Sequence, residues 1–383
     1  MKIVIAPDSY KGSIYAPEAA RAMREGVLRV VPDAETVLVP VADGGDGTLE
    51  TLVETSGGTT RTATVTDPLG ESTEAQWGAM GDGETAVIEM ARTSGLALVP
   101  NDRRDPLTAT TAGLGEVILE ALEEGFRRFI LGIGGSATND AGAGMAQALG
   151  VRLLDAEGND LAVGGSALAA LHQVDIKGLD PRAAAAEFMV ACDVSNPLTG
   201  PEGASAVYGP QKGATPAMVT QLDAALGHFA DVVSRDLNAD VRDVPGSGAA
   251  GGLGGGIMAF LGGQLRPGIE IILDTLQFDS KLEGTDLVIT GEGGMDFQTV
   301  YNKAPIGVAR LAKARGIAVI GVSGSLGKGY TDVHDHGIDA VTSITSAPMD
   351  LDEATSRCSE LIADATEQAL RMMRIGVAVF GND

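Results

Sequence analysis

Short apolar runs that end in polar, glycine-rich loops alternate with helical stretches, and this alternation limits the fold of this 383-residue chain more than any other feature. The pattern is clearest towards both ends of the chain. Its predicted strands and helices are, in chain order, 2–6, 16–30, 35–41, 49–55, 286–290, 304–315, 317–322, 340–344 and 353–373. Repeats of this kind predict an α/β fold with a parallel, doubly wound, Rossmann-like sheet.

The middle of the chain follows another pattern. Residues 59–65 and 74–77 alternate in polarity like antiparallel strands. Further strands and helices, together with a glycine-dense loop at 246–256, are predicted at 84–90, 111–124, 128–133, 141–149, 187–191 and 216–237. The simplest division is a discontinuous Rossmann-like domain of residues 1–57 and 285–383, with a mixed α/β domain of residues 58–284 inserted.

Composition narrows the class of protein. Hydrophobic residues make up 44% of the chain, enough for two α/β cores. The net charge of −25 is spread along the chain and repels polyanions, so we expect no nucleic-acid and no membrane partner. Cys192 and Cys358 lack the spacing of metal ligands, and no targeting segment or membrane-spanning run is evident. The expected location is the cytoplasm.

Loops rich in Gly, Asp, Ser and Thr follow five of the predicted strands. They cover residues 8–13, 43–48, 134–140, 193–200 and 291–299, and each contains at least one aspartate. Any one of them could simply be a helix cap or a turn. In open parallel sheets, however, ligands bind at the carboxyl ends of the strands. Glycine lets backbone N–H groups approach a phosphate, while aspartates hold Mg²⁺ or accept a proton, so the set favours phosphoryl transfer.

Other site chemistries find less support. Residues 246–251 match Gly-x-Gly-x-x-Gly, the motif of a dinucleotide-binding oxidoreductase, but no convincing strand precedes them. The chain has no Gly-x-Ser-x-Gly elbow and no P-loop, so any ATP must bind in another way. Lys11, Lys212 and Lys303 lie beside glycine loops and are candidates for contacts with phosphate or carboxylate.

These loops resemble the type-1 glycerate kinase family nearly from end to end. The motifs that carry the resemblance are APDSYKGS at 6–13, ADGGDGT at 42–48, GIGGSATND at 132–140, CDVSNPL at 192–198, YGPQKGA at 208–214, GAAGGLG at 248–254 and TGEG at 290–293. The resemblance implies a Rossmann-like domain interrupted by a second α/β domain. It also implies ATP- and Mg²⁺-dependent phosphorylation of D-glycerate, to 2-phosphoglycerate in most similar bacterial members and to 3-phosphoglycerate in some.

The segment after Gly293 departs from the family pattern. Gly294 stands where the family usually has Arg or Ser, Phe297 replaces a small residue, and Asn302 precedes Lys303. If an arginine belongs at 294, its loss removes a planar cation that could hold a carboxylate or phosphate, and we expect Phe297 to fill the space. Asp46 also replaces a commoner Glu. The alternatives are therefore a kinase of another small hydroxy acid, or a non-catalytic sensor of a hydroxy acid or nucleotide.

The resulting hypothesis gives each candidate residue a role in a cleft between the two domains. Asp193 or Asp296 accepts the proton of the glycerate hydroxyl, and Lys11 neutralises developing charge. Mg²⁺ is held by Asp43 and Asp46. The candidates for substrate binding are Asp8, Ser9, Asn139, Asp140, Gln298 and Thr299. The candidates for binding phosphate or nucleotide are Gly44, Gly45, Gly134, Gly135, Ser136, Lys212 and Lys303. Either a monomer or a homodimer is compatible with the sequence.

Overall fold

A computed structural model describes residues 1–301 and 303–380, and the chain divides into two compact units. Unit 1 comprises Met1–Asp43, Glu50–Thr55 and Ile269–Asp383, and unit 2 comprises Gly44–Leu49 and Ser56–Gly268. Residues 269–284 group with unit 1, whereas the predicted inserted domain of residues 58–284 included them. The functional domain boundaries stay a prediction.

Strands and helices alternate along most of the described chain. The strands are β1 (Lys2–Pro7), β2 (Glu35–Leu38), β3 (Thr59–Thr66), β4 (Ser72–Ala79), β5 (Thr85–Glu89), β6 (Arg128–Gly132), β7 (Arg152–Leu154), β8 (Gln173–Asp175), β9 (Glu187–Ala191), β10 (Gln264–Arg266), β11 (Leu287–Met295), β12 (Ala318–Leu326) and β13 (Ala340–Ser343). The α-helices are α1 (Ala16–Val30), α2 (Thr48–Ser56), α3 (Ala91–Ser94), α4 (Ala112–Glu123), α5 (Ala143–Ala148), α6 (Pro181–Ala184), α7 (Ala204–Tyr208), α8 (Pro216–Leu237), α9 (Ala249–Leu261), α10 (Gly268–Thr275), α11 (Phe278–Lys281), α12 (Ala304–Ala314), α13 (Leu351–Ser356) and α14 (Cys358–Phe380).

Unit 1 is built on a five-stranded, wholly parallel sheet with the order β13-β12-β11-β1-β2. Ile3, Val4 and Ile5 of β1 are fully buried, as expected of an inner strand whose two faces are both covered. The chain continues from β1 to β2 on one side and from β11 to β13 on the other. The strand order therefore reverses between β1 and β11, which is where a doubly wound sheet usually binds its ligand.

Unit 2 contains a six-stranded mixed sheet with the order β10-β9-β6-β5-β4-β3. Its strands β3 and β4 pair antiparallel, whereas β5, β6, β9 and β10 run parallel. The buried Trp77 packs edge-on against Phe126, and Phe129 stacks on Phe188 at 4.8 Å between ring centroids. The predicted fold class is confirmed: a parallel, Rossmann-like sheet together with a mixed α/β unit.

Two local predictions were wrong. Strand β11 continues as far as Met295 because it stays paired with β12. The first five residues of the loop predicted at 291–299 are therefore strand. The loop predicted at 246–256 is too long: Ala250, Gly251 and Gly252 adopt positive φ and interrupt the helical backbone, but residues 253–256 belong to the helical part of α9. Among the residues that the structure describes, no helix is long and apolar enough to cross a membrane.

Candidate active site

Three carboxylates form an acidic cluster in unit 1, made of Asp8, Asp43 and Glu292. Asp8 follows β1, and its backbone N–H donates to the Gly291 carbonyl at 2.8 Å. Asp43 follows β2, and Glu292 lies towards the carboxyl end of β11. The cluster therefore lies where the strand order of the sheet reverses, as the rule for ligand sites in open α/β sheets predicts.

Burial and the neighbouring charges raise the pKa of two members of this acidic cluster, Asp8 and Glu292. Burial, followed by the charge of Asp43, raises the pKa of Asp8 well above its usual range; hydrogen bonds from Ser9 oppose the shift, and Glu292 adds to it. Ser9 donates to Asp8 through its backbone N–H at 2.6 Å and its hydroxyl at 3.3 Å. Carboxylates crowded in this way favour a bound cation, which would offset their repulsion.

Glu292 is the most enclosed member of the acidic cluster, with only 7% of its surface exposed. Burial raises its pKa, while the Lys303 amine and the Thr299 hydroxyl oppose the rise. Thr299 donates to Glu292 Oε1 at 2.9 Å, and Lys303 Nζ lies 3.5 Å from Oε2. Thr299 is itself fully buried, so the structure places it as a support for Glu292.

The segment after β11 carries the other predicted residues of unit 1. Asp296 Oδ1 accepts a hydrogen bond from the backbone N–H of Gln298 at 2.7 Å, and Gln298 is exposed. Phe297 was predicted to fill the space left by a longer residue at position 294. It is 49% exposed and does not do so. Asn302 lies outside the described residues.

Lys11 is the remaining predicted residue of unit 1. It follows the buried Tyr10, whose hydroxyl donates to the Val322 carbonyl at 2.7 Å, and its own side chain is exposed. An exposed cation close in sequence to Asp8 is available to a phosphate in a chain whose net charge is strongly negative.

In unit 2, the loop after β6 presents two glycines to solvent. Gly134 and Gly135 are exposed, and apart from Gly134 and its two chain neighbours no heavy atom of the described residues lies within 4 Å of the position that a Cβ on Gly134 would occupy. The open backbone suits the approach of a phosphate oxygen. Ser136, the next residue, is buried.

Lys212 lies underneath this loop, with 1% of its surface exposed. Its amine donates to the Ser136 hydroxyl and to the Thr138 carbonyl, both at 2.6 Å. Burial lowers the pKa of Lys212 to about 7, although the negative charge of Asp140 acts in the opposite direction and raises it. The amine braces the loop from inside the unit, and its predicted contact with phosphate stays a prediction.

Asn139 and Asp140 are also fully buried. The Asp140 carboxylate accepts hydrogen bonds from the backbone N–H and the hydroxyl of Thr111 at 2.9 and 2.8 Å. Asn139 donates to the Ser205 hydroxyl at 3.0 Å, and its Oδ1 has no hydrogen-bond partner among the described residues. Both side chains shape the loop from within, and their contacts with substrate stay a prediction.

Two further predicted segments lie at the carboxyl end of β9 and before α2. Asp193 is exposed, and its Oδ1 accepts a hydrogen bond from the Gly268 N–H at 3.0 Å. Gly44 has φ +90°, and a Cβ there would lie 2.4 Å from the Ala191 Cβ, so only glycine fits. The Gly45 carbonyl accepts from Thr48, and Asp46 is exposed.

Three charged residues of these loops and strand ends were not predicted from the sequence. Glu292 stood inside a quoted glycine motif without being chosen, although it is the acid of that motif. Glu89, buried at the end of β5, forms an ion pair of 2.6 Å with Arg92 of α3, and Glu89 Oε1 accepts from the Leu49 N–H at 3.0 Å. The signal for Glu89 was an acid that ends an otherwise apolar strand.

Two fit tests bear on cofactors. Among residues 1–301 and 303–380, no three or more His, Cys, Asp or Glu side chains are arranged to hold a metal ion by themselves. Mg²⁺ commonly takes one or two carboxylates and completes its shell with water and phosphate oxygens, so the acidic cluster fits that ion. The Gly246–Gly251 motif fits a dinucleotide poorly, because a Cβ at Gly248 would lie 2.1 Å from the Pro197 carbonyl oxygen.

Comparison with known proteins agrees with this picture. The two sheets define an α/β protein, a class in which small molecules commonly bind at the carboxyl ends of parallel strands. The sequence model of the glycerate kinase family matches residues 3–374, so the chain belongs to that family. It is 52% identical to glycerate 2-kinase of Escherichia coli (strain K12), over 98% of this chain and 99% of that one.

Other relatives also match this chain over nearly its whole length. Glycerate kinase of Bacillus subtilis (strain 168) is 49% identical over 99% of this chain and 100% of its own. A crystal structure of a Salmonella typhimurium LT2 protein assigned as glycerate kinase 2 superposes with a TM-score of 0.92, at 50% identity, covering 99% of this chain and 100% of that chain. The predicted family and the two-sheet fold are confirmed.

Proposed function

We propose that this protein is an enzyme that phosphorylates D-glycerate with ATP and forms 2-phosphoglycerate. Membership of the glycerate kinase family supports the reaction class. The position of phosphorylation follows the E. coli relative, which is named a glycerate 2-kinase and is 52% identical. Formation of 3-phosphoglycerate is the alternative product.

The acidic cluster of unit 1 is the observation that carries this proposal. Asp8 and Glu292 both have raised pKa values next to Asp43, which is an unfavourable arrangement unless a cation binds there. Asp8 is proposed as a ligand beside the predicted ligand Asp43, and Mg²⁺ held there would neutralise charge on the phosphates of the donor. Glu292 lies behind them and is fixed by Thr299 and Lys303.

The remaining roles follow from position. The open loop at Gly134 and Gly135 is proposed to donate backbone N–H groups to phosphate, with Lys212 fixing its conformation from below. Lys11 and Lys303 supply positive charge. Asp193 and Asp296 are the proposed bases for the glycerate hydroxyl, and Asp46 stays a proposed ligand of the metal.

Phosphorus NMR of the product tests the proposal. The purified chain is incubated with ATP, MgCl₂ and D-glycerate. In 2-phosphoglycerate the phosphorus couples to one proton and gives a doublet, whereas in 3-phosphoglycerate it couples to two and gives a triplet. A new doublet is the expected result. A triplet would overturn the position, and binding of glycerate and ATP without any new resonance would favour the sensor alternative.

A further inference from the structure

A cavity of about 310 Å³ opens at the carboxyl edge of the sheet of unit 1. Its lining comes from the carboxyl ends of β11 and β12, from the segments that follow β1 and β13, and from α13 and the start of α14. The volume falls at the lower end of the range of small-molecule sites, which is about 300–1,000 Å³.

The floor of the cavity is main chain. Gly293 and Gly324 both line it, and they come from the adjacent strands β11 and β12. A Cβ on Gly324 would lie 2.2 Å from the Gly293 carbonyl oxygen, and one on Gly293 would lie 3.0 Å from the backbone nitrogen of Lys11. The two glycines thus allow the β1 loop and the two strands to pack closely, and they present a floor without side chains.

The walls combine apolar faces with polar edges. Ile344, Met349 and Ala354 supply apolar surface. Hydroxyl groups of Ser325 and Thr345 also line the cavity, and the Ser13 hydroxyl donates to the Thr355 carbonyl at 3.0 Å. Such a lining suits a flat heteroaromatic ring, which has apolar faces and a hydrogen-bonding edge. A three-carbon hydroxy acid is too small and too charged to match it.

The charges beside the cavity suit the other end of a nucleotide. Lys11 lines the cavity with an exposed side chain. Gly293 follows Glu292 directly in the chain, and Asp8 precedes Lys11 by three residues, so the acidic cluster begins where the cavity lining ends. A molecule with its ring in the cavity therefore has a cation and a proposed metal site within its reach for phosphates.

We propose that this cavity binds the nucleoside part of the nucleoside triphosphate that donates the phosphoryl group. The inference rests on the proposed kinase function for the identity of the ligand. It adds to that function by placing base recognition in unit 1, at the carboxyl end of β12 and on the segment after β13, which carry no residue assigned to the reaction.

Substitutions on α13 test the site. Ala354→Trp places a large ring on the cavity wall, whereas Ser356→Trp adds the same ring at an exposed position of the same helix outside the lining. The probe is adenylyl imidodiphosphate with MgCl₂, titrated calorimetrically into the full chain. We expect binding at least about tenfold weaker in Ala354→Trp. In Ser356→Trp we expect the affinity for the analogue to change by no more than about twofold. The affinity for D-glycerate should likewise change by no more than about twofold in both variants.

A second variant protects the test against misfolding. Thr345→Trp fills the cavity from the β13 side at an exposed residue, and it answers the same question if Ala354→Trp does not fold. Analogue binding of wild-type strength in a folded cavity variant, or no binding to the wild-type chain, would overturn the inference. Wild-type binding without glycerate turnover would end the proposed function and leave the cavity assignment standing, so the two failures are distinguishable.

Discussion

Replacing the buried lysine of unit 2, Lys212→Met, should make the protein more stable at neutral pH. Burial lowers the pKa of this amine from 10.5 to about 7. At about 1.4 kcal/mol for each pKa unit, that difference corresponds to about 5 kcal/mol of destabilisation wherever the amine is charged in both the folded and the unfolded chain. Methionine has a similar length and removes this cost.

The substitution also removes hydrogen bonds. The amine donates to the Ser136 hydroxyl and to the Thr138 carbonyl, and leaving a buried acceptor unpaired costs about 1–3 kcal/mol. The net expectation at pH 7 is therefore a gain of about 2–4 kcal/mol in the free energy of unfolding.

The sign of the effect should reverse with pH. Because the folded-state pKa of Lys212 is lowered, the cost of burial is full below pH 7 and falls away as the pH rises from about 7 towards 10.5. A neutral amine still donates its hydrogen bonds. At pH 10 the variant should therefore be less stable than the wild type, by about 1 kcal/mol.

Trp77 provides the assay. It is the only tryptophan of the chain and is buried in the core of unit 2, so its fluorescence during urea unfolding reports on that unit. Lys177→Met, at an exposed lysine of the same unit, is the matched control and should change stability by no more than about 0.5 kcal/mol. A Lys212→Met variant that is less stable than the wild type by the same amount at pH 7 and pH 10 would refute the reasoning.

Three further predictions concern the site. Glu292→Gln should raise the melting temperature at pH 7 but not at pH 4. The folded-state pKa of this acid is raised, so the charged carboxylate costs stability only when the pH is above the ordinary pKa of a glutamate. Equal melting curves at pH 7 would contradict this. Gly44→Ala should lower the free energy of unfolding by about 1–3 kcal/mol, measured by urea titration, since φ is +90° and the Cβ has no space. Asp193→Asn and Asp296→Asn are assayed separately by ADP release. One of these variants should lose turnover by about 10²-fold or more, and full activity in both variants would exclude Asp193 and Asp296 as the base.

The sequence predicted what depends on local pattern. The apolar run of β1 and the alternation of β3 and β4 appear in the structure as an inner parallel strand and an antiparallel pair. Asp8 and Asp43 were expected at strand ends, and the structure brings them together with Glu292. What the pattern could not give was burial of polar groups. Lys212 is enclosed by contacts with residues more than seventy positions earlier in the chain, and no local rule predicts such contacts.

Strand length was the other failure. The glycines after Thr290 indicated a loop, because glycine weakens an isolated strand. Pairing with β12 keeps those residues extended as far as Met295, and that pairing is a property of the whole sheet. Glu292 was overlooked for this reason: its position on a strand, facing Thr299 and Lys303, is visible only once the register is known.

The dependence of the initial rate of phosphoglycerate formation on Mg²⁺ concentration tests most directly whether the acidic cluster holds the metal of a kinase. In Asp43→Asn we expect half-maximal rate to require at least about tenfold more Mg²⁺ than in the wild type. Asp33→Asn, at an exposed acid of the same unit, should leave the curve unchanged. Superimposable curves for Asp43→Asn and the wild type would contradict the account.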